Sequence, residues 1–516
     1  MSRRIIIACL AILTTVVLYF LLRPLFLVGF PQTDDGTWMV IRLTAFYQAL
    51  ADGQFPVRFL GRLNNHFGYP VANFLYPGFL YIGSFLHGIG IPFTVSVKAI
   101  MVGSILLGAG ATFFWLRSFF SISASFVGML MFITNPYILY DLYVRGSVGE
   151  LLAIAMAQVT IFLIERNIRI LIPLSFALFL ISHNTLAAFF VPLIIFYVYY
   201  RRKTHLIIPL FIGGLLSVFF WVPALFEKSF IFFDSVTVSD PASYAGVTLR
   251  LLLESVPFLA LSLFVLLKSS YIRHFTIYLF IILFLLVMLV TPIGAVVWGT
   301  NIFHQFIQFP FRLLAFFPFF GAFFTAYASS YRKILIRRLS IAIALGLSLV
   351  FFFIRLENVS IKDIPESMYV TNEATTTVRD EYLPRWVKEN PTKRASDRVQ
   401  IIAGDAEINV ITISTNYLDA IVTARSQSVF RLNTIYYPGW IAIVDGAKTL
   451  ISYDNPQGLI EIPLSTGRHS VVVEFKESPF RLTADIISLA GFIMYSVFCI
   501  RILGERKKKK ISITKK

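Results

Sequence analysis

Long apolar runs, each ended by a short basic loop, fill most of the first 355 positions, and one more follows near the C-terminus. Runs of about 18 to 20 such residues are what a helix needs to cross a bilayer. Spacing them between the basic clusters places twelve transmembrane helices at about 5–28, 98–116, 122–139, 150–165, 169–182, 184–200, 206–225, 250–267, 275–297, 312–330, 339–355 and 483–502. The apolar stretch 76–91 is short and broken by Gly78, Gly83, Gly88 and Gly90, which reads as a re-entrant or interfacial piece. Between 398 and 481 the period changes to alternating short runs: 399–402, 407–413, 418–424, 429–435, 440–444, 459–462 and 470–475. Turn signals such as Asp445-Gly446, Asp454-Asn455-Pro456-Gln457-Gly458 and Ser465-Thr466-Gly467 separate them, so this segment is expected to be a small antiparallel β-sandwich.

Composition agrees with a polytopic α-helical membrane protein. Of 516 residues, 57% are hydrophobic, 53 are Phe, only 14% are charged and the mean hydropathy is +0.75, which excludes an ordinary soluble globule. The net charge of +17 would suggest nucleic acid in a soluble chain, but residues 357–481 hold 16 of the 28 acids and only 13 of the 45 basic residues. The excess therefore sits in the membrane part, where Lys and Arg mark cytoplasmic loops, and no nucleic-acid partner is implied.

Reading Arg117, Arg166/Arg169, Arg201-Arg202-Lys203, Lys268/Arg273, Arg332-Lys333 with Arg337-Arg338, and the Arg506–Lys510 tail as inside puts both termini in the cytoplasm. The implied organisation is a membrane domain over 1–355 with the outer loop 29–75, an extracytoplasmic linker 356–397, the β-sandwich 398–481, a last helix 482–503 and a basic cytoplasmic tail 504–516. Cys9 and Cys499 fall inside spans, which leaves the polar segments without a disulfide or thiolate metal site.

Unusual polar residues gather on the outer side of this topology. Asp34-Asp35-Gly36 stands at the mouth of a helix. Adjacent carboxylates there suit a general base or a divalent cation; equally, Thr33 or Asp34 could cap the following helix. In the segment Tyr140–Glu150, which includes Asp141, Arg145 offers a planar fork for phosphate, and Glu150 enters the bilayer region where an acid normally needs a partner; snorkelling and capping also fit. His183 follows at the next outer turn, as a catalyst or a structural hydrogen bonder. Arg312, after Gln308-Phe309-Pro310-Phe311, enters a long apolar helix from outside; it fits an anionic lipid head group or an ion pair with Glu150 or Asp141. Tyr436, Tyr437 and Trp440 could stack on sugar rings, or form the core of the β-domain and its contact with the membrane part.

Asp34-Asp35-Gly36, Asp141-Leu142-Tyr143-Val144-Arg145-Gly146, Gln308-Phe309-Pro310-Phe311-Arg312, Glu381-Tyr382-Leu383-Pro384 and Tyr437-Pro438-Gly439-Trp440 with Asp445-Gly446 occur in an order that resembles a family of bacterial membrane proteins called 6-pyruvoyl-tetrahydropterin synthase-related. Pterin synthases themselves need a zinc-binding His triad, and the seven His here show no such spacing. The architecture is similar to the GT-C glycosyltransferases. That resemblance implies an enzyme of the bacterial plasma membrane that moves a sugar from a polyprenyl-phosphate-linked donor to a glycan or protein acceptor of the cell envelope. It aligns Asp34 and Asp35 with the catalytic acids. Charge assigns Arg145 and Arg312 to the donor phosphate, with Asp141, Glu150, His183, Gln308 and Glu381 in support. A divalent cation on Asp34 and Asp35 is optional, and no Gly-rich loop implies a soluble cofactor. The alternative is a non-enzymatic transporter or scaffold that holds a lipid-linked glycan without breaking a bond, although the paired mid-bilayer charges and broken repeats of transporters are not evident.

Overall fold

In the computed structural model, residues 3–233, 246–255, 284, 309–331, 334–377 and 379–514 are described. Six helices among them are long and apolar enough to cross a membrane: Arg4–Phe26, Phe93–Leu116, Ile122–Arg145, Val148–Arg166, Phe311–Ala328 and Pro479–Glu505. A seventh crossing is formed if the pair Thr204–Leu216 and Val218–Phe230, bent by 64°, is one broken span. The chain is a multi-pass, mostly helical membrane protein with a C-terminal β-sheet region.

The twelve expected crossings divide unequally. The piece at 169–182 is helical only over Ile172–Leu180, nine residues, or about 13 Å of rise, too short to cross alone. Leu171 and Pro173 begin it, and Ser182 and His183 end it where the next helix, Asn184–Tyr200, is capped. The stretch 76–91 forms an 11-residue helix at Gly78–Gly88, too short to cross a bilayer alone. The expected span 339–355 lies within the helix Ile334–Glu357. Most of 250–267 and all but one residue of 275–297 lie outside the described residues.

The β-region follows the alternation closely. Eight strands form a five-stranded sheet and a three-stranded sheet. We label them β1 (Val399–Ala403), β2 (Ala406–Ile413), β3 (Tyr417–Ala424), β4 (Ser428–Ile435), β5 (Trp440–Val444), β6 (Ala447–Thr449), β7 (Leu459–Leu464) and β8 (Gly467–Phe475). The sheet orders are β2-β3-β8-β5-β6 and β1-β4-β7, every pair antiparallel. Inward residues recur every second position, as in Leu418, Ala420, Val422 and Ala424, and each is buried. Strand β6 was not anticipated; Asp445 and Gly446 turn back with φ of 53° and 81°, and Ala447–Thr449 pairs with β5 across that hairpin. Tyr437 and Trp440 are buried at 0% and 3% exposure, so these two rings are structural, whereas Tyr436 is half-buried.

Buried ion pairs lock this β-region onto the helices. Arg481 reaches Glu227 at 2.8 Å, and the same carboxylate accepts from Tyr437 Oη at 2.8 Å and Asn73 Nδ2 at 2.7 Å. Arg58 of the first outer loop pairs with Glu477 at 3.0 Å and Asp485 at 2.9 Å and donates to the Phe219 carbonyl at 2.7 Å. These pairs tie the segment around Arg58 and the Glu227 turn to the start of the last helix.

Candidate functional site

The segment carrying Asp34 and Asp35 meets the second acidic motif through backbone. Asp34 N donates to the Val144 carbonyl at 2.9 Å and Asp35 N to the Arg145 carbonyl at 2.6 Å. The approach depends on Gly146. A Cβ there would lie 2.2 Å from Thr33 Oγ1 and 2.9 Å from Gly36 N, and Gly146 also has a φ of 69°; a Cβ on Gly36 would instead meet its own segment, 2.4 Å from Thr33 Oγ1. Gly146 is therefore where the two chain segments touch.

Capping at this point falls to Thr33, not Asp34. Thr33 Oγ1 accepts from Gly36 N at 3.1 Å, while Asp35, the residue preceding the helix Gly36–Ala51, makes no capping bond with its side chain. Asp35 is instead directed at Arg145, whose Nη2 is 3.1 Å from its Oδ2. Asp34 stands exposed at the rim; partial loss of hydration and then the neighbouring Asp35 raise its carboxyl above the usual range, with Arg145 opposing.

Behind Asp35 lies a buried cluster centred on Glu150, which is fully enclosed. Its Oε1 takes Arg145 Nη1 at 2.5 Å and Arg312 Nε at 2.7 Å, and its Oε2 accepts from Tyr137 Oη at 2.7 Å. His183 caps the helix Asn184–Tyr200 by accepting from Leu186 N through Nδ1, which leaves the proton on Nε2, 3.3 Å from Glu150 Oε1. Asp141 opens a single π-turn, Asp141–Arg145, and its Oδ1 is 3.6 Å from Arg145 Nη1. Neither Asp141 oxygen has a hydrogen-bond partner among the described residues, although the side chain is wholly buried. The π-turn brings Asp141 and Arg145 to one side of the chain before Gly146 reverses it, the kind of helix irregularity found at functional sites. Phe309 and Phe311 flank the guanidinium groups: Arg145 is 5.5 and 5.3 Å from their ring centres, and Arg312 is 4.8 Å from that of Phe309.

Asp35, Asp141, Arg145, Glu150, His183 and Arg312 are thus brought together from four separate segments, with Asp34 at the edge. Arg312 takes the ion-pair arrangement with Glu150 that the sequence left open, and Arg145 shares the same carboxylate. Glu381 is elsewhere: its carboxylate accepts from Arg379 N at 3.2 Å in a local turn, and its neighbour Tyr382 packs on Phe74 at 5.8 Å. Gln308 lies outside the described residues. Among the described residues no three His, Cys, Asp or Glu side chains form a metal-ligating group.

Sequence reasoning missed two participants. Tyr137 carries no motif. Tyr76 packs on His183 with ring centres 4.6 Å apart.

No family model matches the chain, and no curated protein matches it. Among solved structures it is similar to the cryo-EM structure of arabinofuranosyltransferase AftD from Mycobacteria, with a TM-score of 0.41 and 17% identity over 69% of this chain and 27% of that one. A mutant of the same protein gives a TM-score of 0.42 and 15% identity over 68% of this chain and 28% of that one. The chain spans about a quarter of the length of those structures.

Proposed function

We propose that the protein is a membrane glycosyltransferase of the outer face of the plasma membrane, using a polyprenyl-phosphate-linked sugar and an acceptor of the cell envelope. The observation that carries this reading is the convergence of an outward carboxylate, Asp35, on a buried acid–guanidinium cluster drawn from distant segments. A site at the mouth of a helix bundle suits a donor whose lipid stays in the bilayer while its sugar projects outward.

In this mechanism the acceptor hydroxyl attacks the anomeric carbon of the donor. The new carbon–oxygen bond forms as the bond to phosphate breaks, and the phosphate leaves with the electron pair. Asp35 takes the hydroxyl proton, and Arg145 orients it. Asp34 at the rim contributes to acceptor binding. Glu150 holds Arg145 and Arg312 beside the leaving phosphate, and His183 and Tyr137 fix Glu150; the cations stabilise charge that grows on the phosphate oxygens.

The test is to measure lipid-linked sugars and surface glycans in cells with and without the gene. Accumulated donor and a shortened glycan are expected in its absence, restored by the parental protein but not by Asp35→Asn. Unchanged pools would remove the transferase reading and leave a non-enzymatic lipid-glycan carrier or scaffold.

A further inference from the structure

A groove apart from the catalytic cluster opens where three segments meet: the end of the helix Arg4–Phe26, the start of the helix Phe93–Leu116, and the linker over 363–369. Its volume is about 410 Å³, within the range of roughly 300–1,000 Å³ usual for small-ligand sites. The linker is held there at two points. Phe30 and Pro31 pair with Lys362 and Ile361 as a short antiparallel ladder, and Glu366 Oε1 accepts from Phe93 N. Both helices are long and apolar enough to cross a membrane, and both end at this level. The groove therefore lies where hydrocarbon gives way to water. Its wall at Gly29 runs on to Asp34, five residues later in the chain.

The lining combines an apolar flank with charges of both signs. Phe26 and Val28 are 74% and 80% exposed, surface suited to acyl chains. Lys98 is 8% exposed; its Nζ donates to the Leu27 and Gly29 carbonyls at 2.9 Å each. An ammonium has three donors, so one remains for a ligand. Among the described residues no carboxylate lies within ion-pair distance of Lys98, and the exposed Asp363 makes no side-chain bond. Cation and acid thus line one groove without meeting each other. Tyr369 is the most deeply buried of the lining residues at 1% exposure, and its hydroxyl has no hydrogen-bond partner among the described residues. Burial, then the nearby carboxylates of Asp363 and Glu366, push that hydroxyl above the usual phenol range. An orphaned hydroxyl in such a place is costly unless a ligand satisfies it.

One cation against two carboxylates does not select a lipid that offers a phosphate alone, because the balance is negative. It suits a head group that carries a phosphate and an ammonium together. We infer that this groove binds a phospholipid with a primary-amine head group: Lys98 and the Tyr369 hydroxyl take the phosphate, Asp363 and Glu366 take the ammonium, and the chains lie along Phe26 and Val28. The site does not depend on the transferase reading. Its occupant would bridge both helices and the linker beside the strand that leads into Asp34 and Asp35.

The test uses delipidated full-length protein in detergent, titrated with dioleoyl phosphatidylethanolamine, phosphatidylglycerol or phosphatidylcholine and read by native mass spectrometry. One phosphatidylethanolamine should bind saturably, with the other two at least about threefold weaker. Phosphatidylglycerol lacks the ammonium, and the quaternary ammonium of phosphatidylcholine has no N–H to donate to Asp363. Asp363→Asn should remove the preference over phosphatidylglycerol. Tyr369→Phe should weaken phosphatidylethanolamine by about two- to tenfold, while its unfolding midpoint in lipid-free detergent stays at or above the parental value, since an unsatisfied hydroxyl has been removed. Lys98 is left unchanged because it also ties down the Leu27 and Gly29 carbonyls. Equal affinity for the three lipids would mean annular lipid only and would end the inference. So would parental phosphatidylethanolamine binding by Tyr369→Phe, or an undiminished preference in Asp363→Asn. A drop in the lipid-free midpoint of Tyr369→Phe would show that the hydroxyl serves the fold instead, which also overturns the site.

Discussion

Replacing Glu150 by alanine should damage the protein more than any change at Asp35, although both acids touch Arg145. Glu150 is fully buried and satisfies two guanidinium groups and the Tyr137 hydroxyl. Its removal leaves Arg145 and Arg312, 5% and 6% exposed, to share the remaining Asp141 and Asp35. Removing one partner of a buried pair typically costs about 3–5 kcal/mol, and the orphaned Tyr137 hydroxyl adds about 1–3 kcal/mol. Relief of the repulsion between Asp141 and Glu150 subtracts from this, so about 3–4 kcal/mol is expected. At roughly 2 °C per kcal/mol for a large domain, the unfolding midpoint in detergent should fall by about 6–8 °C. Asp35 is one-third exposed in its single pair with Arg145, and Asp35→Asn should move the midpoint by less than about 2 °C. The assay is thermal unfolding followed by tryptophan fluorescence, with size-exclusion chromatography as a check of monodispersity. A Glu150→Ala protein as stable as the parent would refute the reasoning, because it would mean that water, not Glu150, balances the two guanidinium groups. A cycle of Glu150→Ala with Arg312→Ala sharpens the point: the double variant should be more stable than the sum of the single losses allows.

Four further outcomes are expected. Asp35→Asn should lower sugar transfer about 10²- to 10⁴-fold with donor affinity intact, Asp34→Asn should lower it less, and parental turnover by a folded Asp35→Asn protein would overturn the catalytic assignment. An impermeant thiol reagent applied outside should label a Cys at Lys448 and not one at Lys203, the pattern the positive-inside bias predicts; the reverse pattern would invert the topology. Residues 398–481 expressed alone should give a β-type circular dichroism spectrum and bind sugar weakly or not at all, because Tyr437 and Trp440 are buried; a coil spectrum or tight glycan binding would contradict this. His469 Nδ1 lies 2.6 Å from Asp445 Oδ2, which raises the imidazole and lowers the carboxyl from their usual values. The contribution of this pair to stability should be full between the usual Asp and His values. It should fade as pH rises through the raised His469 value or falls through the lowered Asp445 value, and His469→Ala should flatten that profile.

What the sequence made legible follows from the range of each interaction. Strand boundaries in the β-region depend on neighbours two residues apart, so alternation alone placed seven of the eight strands, and β6 escaped because Ala447–Thr449 is exposed and has no inward face to betray it. Crossings depend on length and apolarity, which local sequence also carries, but those signals cannot separate Ile172–Leu180 from a full span, because the nine-residue helix is continued by apolar residues that leave the helical path. The site was legible as a set of residues out of place, charges at membrane depth being costly wherever they occur. Their partners were not. Whether Arg312 meets a lipid or Glu150 is decided by the meeting of segments 162 positions apart, and nothing in either motif records it. The same limit hid the burial of Arg42 and Arg62. Each arginine looks like an ordinary loop or helix cation until the fold buries it without an acid, so a buried charge is informative only when its surroundings are known. For this reason Gly146 was the most revealing local signal: it follows Arg145 because a Cβ there would meet Thr33 and the Gly36 backbone of the other motif, and a glycine beside a charged residue is the trace that such a contact leaves in sequence.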